Sequence, residues 1–254
     1  MSSEYQKLLS RIVESGNILI VSHENPDADA IGSTLALGLA LEQLDKNVTM
    51  YNRDGVPENL DFLPGSGKIT KSLETAESAY DMAVAVDCAG MDRAGDEFLS
   101  FVKSGWAKTI SIIDHHRTNN SEVDVCYLDE HASSTGVMIY GLIKSLSLDL
   151  TKDIAINLYA TIIGDTGSFR YSNTNDDTFK VAGDLVRAGA NPAVISEALY
   201  ENEPLRKLKL LGLVLPSLHI EDESIASVTV DNEMFRIMDT MMSDTEGMLN
   251  FPRC

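Results

Sequence analysis

The chain is short of positive charge, of cysteine and of long apolar runs, and each shortage argues against a class of function. It has 20 Lys and Arg against 39 Asp and Glu, a formal net charge of −19. A protein that tracks long duplex nucleic acid neutralises phosphates with a basic face. The composition offers none, so a long duplex is not an expected partner. A short nucleotide remains open, because bound cations can supply positive charge locally. The three cysteines, Cys88, Cys126 and Cys254, form an odd set without a CxxC pair. That fits a reducing compartment and not a disulfide framework, and Cys88 reads as a small apolar filler. No run long enough to span a bilayer occurs. Met1-Ser-Ser-Glu-Tyr-Gln-Lys7 lacks the apolar core of a signal peptide. The expected location is the cytoplasm, with no membrane partner. At 254 residues and 44% hydrophobic, the chain can bury one large core or two modest ones.

What the sequence does have is a set of short apolar runs that stop at polar residues. Thr109-Ile-Ser-Ile-Ile113 ends in Asp114-His115-His116. Ile18-Leu-Ile-Val21 leads into His23-Glu-Asn-Pro-Asp27-Ala-Asp29-Ala-Ile-Gly32-Ser33. Met82-Ala-Val-Ala-Val86 ends in Asp87, and Ile162-Ile163 leads into Gly164-Asp165-Thr-Gly167. The runs at 17–21, 48–51, 82–86, 109–113 and 123–128 have strand length, and 82–86 and 109–113 read as strands covered on both faces, which is typical of parallel sheets. Helical patterns cover 5–15, 28–44, 135–146, 152–163 and 176–188. Asn191-Pro192 opens another, with Asn as N-cap and Pro at the first helical position. Residues 55–68, rich in Gly and Pro, read as loop. Strands alternating with helices predict an α/β fold with a doubly wound, mostly parallel sheet. Sites in such sheets form beyond the carboxyl ends of the strands, where the first three polar motifs fall.

His23, Asp27 and Asp29 lie within seven residues, and a turn stiffened by Pro26 can aim all three at one point. Asp27 and Asp29 are placed to bind different ions of a pair, with Asp87 as a bridge. Gly32 and Ser33 are expected in the first turn of the following helix, where backbone N–H groups favour anions. Carboxylate and imidazole donors together suit Mn²⁺ or a similar divalent ion. Two such ions can clamp both oxygens of a phosphate displacement and acidify a water. Singly, Asp27 or Asp29 reads as a helix cap, Asp87 as a turn residue, His116 as a surface histidine and Asp165 as a loop carboxylate. Jointly, they would require four unrelated accidents at four element ends. Ser133-Ser134-Thr135-Gly136 opens a helix and reads either as a phosphate cradle or as a simple N-cap. It has no clear base and no nucleophile elbow around it. Arg93, Arg117 and Arg170 are the few basic candidates for phosphate.

These segments, with Ala132-Ser-Ser-Thr-Gly136 and Gly164-Asp-Thr-Gly-Ser-Phe169, resemble in order and spacing the DHH-superfamily phosphoesterases. Within them the chain is most similar to the bacterial oligoribonuclease and 3′-phosphoadenosine 5′-phosphate phosphatase branch. The resemblance implies that His23 and Asp27 bind one Mn²⁺ and that Asp29, His115 and Asp165 bind the other, with Asp87 bridging. Asp87, Asp114, His115 and His116 form the implied catalytic set. His116 contacts the substrate phosphate, and Asp114 supports the histidines. Ser133, Ser134 and Thr135 join His116 as substrate contacts. Mg²⁺ or Co²⁺ are the substitutes expected for Mn²⁺.

The implied organisation is a catalytic domain over 1–190, a helical linker over 191–219 and part of a smaller substrate-binding α/β domain over 220–254. The latter is carried by Ile225–Val230, Asp244-Thr-Glu-Gly247 and Asn250-Phe-Pro-Arg253, without the family's Gly-Gly-Gly-His segment. The expected activity is Mn²⁺-dependent hydrolysis of phosphate esters in very short oligoribonucleotides and 3′-phosphoadenosine 5′-phosphate. A manganese inorganic pyrophosphatase, a cyclic-dinucleotide phosphodiesterase and a catalytically impaired nucleotide-binding module are the alternatives. The resemblance also admits a homodimer.

Overall fold

The computed structural model describes residues 2–73, 79–117, 123–201, 204–221, 225–245 and 247–248. It divides into two compact units, Met1–Leu199 and Tyr200–Cys254. Cys254 and the segment 250–253, expected to belong to the substrate-binding domain, lie outside the described residues.

The first unit is built on a six-stranded sheet in which every pair is parallel. Its strands are β1 (Asn17–Val21), β2 (Asn47–Tyr51), β3 (Ile69–Thr70), β4 (Tyr80–Val86), β5 (Ala107–Asp114) and β6 (Val125–Leu128), in the order β3-β2-β1-β4-β5-β6. The helices are α1 (Ser3–Glu14), α2 (Ala28–Glu42), α3 (Asp96–Lys103), α4 (Thr135–Ser145), α5 (Lys152–Asp165), α6 (Asp176–Arg187) and α7 (Pro192–Tyr200).

Strand alternation explains why the runs are apolar throughout. Ile18 and Ile20 of β1, with Met82, Val84 and Val86 of β4, face the core shared with α2, α4 and α5. Leu19, Val21, Ala83 and Ala85 point the other way, into a second core that includes Phe98 of α3. Both faces are covered, so no position along these strands favours a polar side chain. α2 is buried nearly all round, from Ala28 to Gly38 and again at Ala40 and Leu41. It packs against α5 and α4.

From β1 the chain winds outward to β2 and β3. From β4 it winds the other way, to β5 and β6. The direction reverses between β1 and β4, and their carboxyl ends open the crevice in which such sheets place their sites. α3 is an element that the sequence patterns passed over; it is short, with Phe98 its one fully buried residue.

In the second unit, α8 (Leu205–Val214), the antiparallel pair β7 (His219–Glu221) and β8 (Ile225–Ser227), and α9 (Asn232–Met238) follow in order. Leu210, Val214 and Met248 form its small core, while Ile195 of α7 belongs to the core of the first unit. β8 is shorter than the run expected at 225–230, and Pro216 sits in a 3-10 turn just after α8. No described helix is long and apolar enough to cross a membrane.

Candidate metal centre

Every side chain of the centre sits where a regular element starts or stops. His23 lies two residues past β1, and Asp27 caps α2, its Oδ1 accepting the N–H groups of Asp29 and Ala30 at 3.0 Å each. Asp29 is in the first turn of α2 and is 1% exposed. Asp87 follows β4 directly. Its N–H donates to the Ile113 carbonyl of β5 at 3.0 Å, which continues the strand pairing by one residue. Asp114 ends β5, His115 and His116 follow it, and Asp165 is the last residue of α5.

Asp87 has a φ of +55°. Left-handed backbone at a residue other than glycine is uncommon, and such residues cluster at functional sites. The turn directs the carboxylate into the crevice, where it is 2% exposed.

The distances define a centre with two sides. His23 Nε2 lies 3.7 Å from Asp87 Oδ2 and 3.9 Å from Asp27 Oδ1. His115 Nε2 lies 3.7 Å from Asp87 Oδ1, 3.7 Å from Asp29 Oδ2 and 2.9 Å from Asp165 Oδ2. The two oxygens of Asp87 thus face different histidines. Three sets, His23–Asp27–Asp87, Asp29–His115–Asp165 and Asp87–His115–His116, each bring their ligand atoms within 4.8 Å of one another.

Whether these residues fit a cation is decided by where the histidine protons go. His23 Nδ1 lies 2.7 Å from the Glu24 carbonyl, and His115 Nδ1 lies 3.2 Å from the Ala132 carbonyl. A carbonyl only accepts, so each Nδ1 carries a hydrogen, and the other ring nitrogen faces the carboxylates. Backbone anchoring of one imidazole nitrogen is how proteins present the other to a metal. His115 Nε2 is buried and close to Asp165, yet makes no aligned hydrogen bond. Two imidazole nitrogens and four carboxylates form the donor set expected for Mn²⁺ and similar ions.

The electrostatics agree. Burial, followed by the nearby Asp87 and Asp165, holds the Asp29 carboxyl well above the usual range. Burial and then Asp87 raise Asp27. Burial also raises Asp165, against the pull of His115. Burial by itself would lower His115, but the Asp165 and Asp87 carboxylates outweigh it and lift the imidazole to about 9. Carboxylates crowded in this way repel one another, and a divalent cation would reverse that repulsion.

His116 stands apart, with a side chain 42% exposed and its Nδ1 2.7 Å from Asp114 Oδ1. Asp114 is fully buried and also accepts the His115 N–H at 2.9 Å. One carboxylate therefore orients both residues of the histidine pair.

Some expected positions do other work. Gly32 and Ser33 are buried inside α2 and do not line its amino end. A Cβ on Gly32 would fall 2.6 Å from Thr161 Cγ2 and 2.8 Å from the Asn157 carbonyl, so this glycine permits close packing of α2 on α5. Ser33 Oγ donates to Asp29 Oδ1 at 3.1 Å. Ser133, Ser134 and Thr135, expected to touch substrate, are buried. Ser134 caps α4 by accepting the Val137 N–H, and Thr135 Oγ1 donates to Asp87 Oδ1 at 3.2 Å. The N–H groups of Thr135 and Gly136 both donate to Asp29, so the amino end of α4 holds a carboxylate of the protein itself. In this structure Ser134 serves as a helix cap and Thr135 holds two of the candidate metal-binding carboxylates, Asp29 and Asp87. Of the basic candidates, Arg117 pairs with Glu130 at 3.1 Å and Arg170 donates to the Gly167 carbonyl at 2.6 Å.

Sequence reasoning missed Asn52 and Asn173, which donate hydrogen bonds to the backbone carbonyls of His23 and Asp165. Asn52 directly follows β2 and was accessible to the same strand-end rule. Asn173 lies in the polar stretch Tyr171-Ser-Asn-Thr-Asn175, where nothing distinguishes it from a loop residue.

Comparison with known proteins adds a family. The family described as "DHH family, N-terminal domain" matches residues 17–162. The bifunctional oligoribonuclease and PAP phosphatase NrnA of Bacillus subtilis (strain 168) is 30% identical over 249 residues, which cover 96% of this chain and 75% of that protein. A probable manganese-dependent inorganic pyrophosphatase of Bacillus mycoides (strain KBAB4) is 23% identical over 66% of this chain and 54% of its own length. Among solved structures, an exopolyphosphatase-related protein from Bacteroides fragilis superposes with a TM-score of 0.89 at 27% identity, over 99% of this chain and 76% of that one.

Proposed function

This chain belongs to the DHH family, and from that premise we propose that it is a hydrolase of phosphoester bonds, dependent on Mn²⁺ and acting on very short oligoribonucleotides and 3′-phosphoadenosine 5′-phosphate. The observation that carries the reading is the divided Asp87 carboxylate, with Oδ2 toward His23 and Oδ1 toward His115. In this reading His23 and Asp27 hold one ion, Asp29, His115 and Asp165 hold a second, and Asp87 is shared. Bound there, the ions would neutralise phosphate charge and acidify a water.

The protein's own groups supply the rest. Asp114 fixes His116 through Nδ1, so the exposed end of the imidazole is available to donate a hydrogen bond to a phosphate oxygen as negative charge develops. Ser33, Thr135 and Gly136 orient Asp29, and Thr135 also orients Asp87. The first unit carries the chemistry, and the second contributes to nucleotide recognition. Similarity to the Bacillus subtilis enzyme supports the choice of substrates.

The pyrophosphatase similarity supports a second reading, hydrolysis of inorganic pyrophosphate. One assay separates the two. Phosphate release from 3′-phosphoadenosine 5′-phosphate and from pyrophosphate is measured with Mn²⁺, beside cleavage of a 5′-labelled diadenylate, for wild type and Asp87→Ala. Turnover of the nucleotides that the variant loses supports the first reading. Turnover of pyrophosphate alone replaces it with the second, and silence on all three substrates rejects both.

A further inference from the structure

Two asparagines adjoin the centre, one on each side, and hold the backbone of its residues through their side-chain amides. Asn173 donates from Nδ2 to the backbone carbonyls of Asp165 at 3.1 Å and Ser133 at 3.0 Å. It therefore ties the end of α5, which carries Asp165, to the segment entering α4. That segment serves the same side of the centre: the Ala132 carbonyl anchors His115 Nδ1, and the Thr135 and Gly136 N–H groups hold Asp29. One side-chain amide thus braces the supports of Asp29, His115 and Asp165 together.

Asn52 does the equivalent on the other side. It is fully buried and donates from Nδ2 to the His23 carbonyl at 2.8 Å and Ser22 Oγ at 2.9 Å. Its Oδ1 accepts the N–H groups of Asp54 at 3.0 Å and Gly55 at 3.1 Å. Asp54 Oδ2 in turn accepts the Asn25 N–H at 2.7 Å. The 22–25 segment is stitched to the end of β2, and His23 is set by that stitching.

We infer that Asn173 and Asn52 are positioning residues that divide the centre between them, Asn173 serving the Asp29–His115–Asp165 set and Asn52 the His23–Asp27 set. This rests on the two-ion reading. It adds that the two sites are braced by separate hydrogen-bond networks, so either site can be loosened without the other. Groups that orient metal ligands without touching the metal typically change affinity about 10–100-fold when removed.

The test is Mn²⁺ binding by equilibrium dialysis on the full chain, with the electron paramagnetic resonance spectrum reporting spin coupling between neighbouring ions. Wild type should bind two equivalents that couple. Asn173→Ala should keep one equivalent at wild-type affinity and loosen the other about 10–100-fold, and coupling should disappear at one equivalent. That loosening should vanish in an Asp165→Ala background, where its site is already broken, and persist in a His23→Ala background. Asn52→Ala should show the reverse pattern. Asn173→Gln, which keeps a donor, should recover part of the affinity. Circular dichroism qualifies each variant, and Asn173→Ser replaces Asn173→Ala if the latter does not fold. Two coupled equivalents in wild type with equal loosening of both, or of neither, in Asn173→Ala would overturn the division and leave the two-ion reading standing. Fewer than two equivalents in wild type would overturn both.

Discussion

Asp29 and Thr135, 106 residues apart in sequence, are joined by a 2.7 Å bond from the Thr135 N–H to Asp29 Oδ2. The next N–H, of Gly136, reaches Asp29 Oδ1 at 3.1 Å. A buried carboxylate on α2 is thereby held by the amino end of α4, where the helix dipole favours negative charge.

This junction leaves no room for a side chain at Gly136. A Cβ there would lie 1.9 Å from Thr161 Oγ1 and 2.7 Å from Thr161 Cβ, in α5. Gly136→Ala should lower stability by about 1–3 kcal/mol through overpacking, read as a lower urea midpoint, and should weaken Mn²⁺ binding as α4 is pushed from Asp29. Adding Thr161→Ala should restore part of both. No restoration would mean that the contact at Thr161 is not what limits position 136.

His116 is expected to act on substrate and not to hold the fold. His116→Ala should reduce kcat about 10²–10³-fold, the usual cost of removing one donor to a developing oxyanion. Mn²⁺ stoichiometry and the melting temperature should stay near wild type. Loss of an ion in this variant would make His116 a ligand instead.

Removing divalent ions should destabilise the protein, increasingly so at alkaline pH. His115 is raised from 6.5 to about 9 by Asp165 and Asp87 against burial. In chelated protein its contribution is fully present below pH 6.5 and is lost as pH rises toward 9. The raised carboxyls of Asp27, Asp29 and Asp165 act in the same direction, losing their contribution as pH climbs through their folded values. Bound Mn²⁺ would hold these groups deprotonated and paired. The gap in melting temperature between loaded and chelated protein should therefore widen between pH 6.5 and 9. A constant gap would contradict this.

Asp81 has the opposite sign. Lys108 at 2.7 Å, then the N–H groups of Asn17 and Gly16, bring its carboxyl from 3.8 down to about 2. Its contribution is present above pH 3.8 and disappears as pH falls through 2. Asp81→Asn should lower the urea midpoint at pH 6, and the difference from wild type should close between pH 4 and 2. A difference that stays constant across that range would assign the effect to packing.

Much of the frame was legible because its physics is local. Strand-length apolar runs with no polar phase, such as Met82–Val86, announce strands buried on both faces. The polar residue that ends each run then falls at a carboxyl edge of the sheet. α3 escaped because it is only eight residues long, although Phe98, Phe101 and Val102 recur on it at helical spacing and pack on one core. Gly32 was read from its neighbours in sequence, but its reason for being glycine is Thr161, far along the chain on another helix. The Ser133–Thr135 segment resembled a phosphate cradle because amino ends of helices attract anions. Sequence could not reveal that Asp29 is the anion already there. Asn173 was invisible for a related reason, since its partners are backbone carbonyls, which no residue code records.

The left-handed turn at Asp87 sets folding against chemistry at one position. Glycine adopts that backbone without steric cost, whereas a side chain there typically carries a penalty of about 1–2 kcal/mol, partly relieved for Asp. Asp87→Gly should therefore melt above Asp87→Ala, although both lack the carboxylate that faces His23 and His115. A screen of this position for heat resistance alone would favour glycine over alanine and return a sturdier protein with an idle centre.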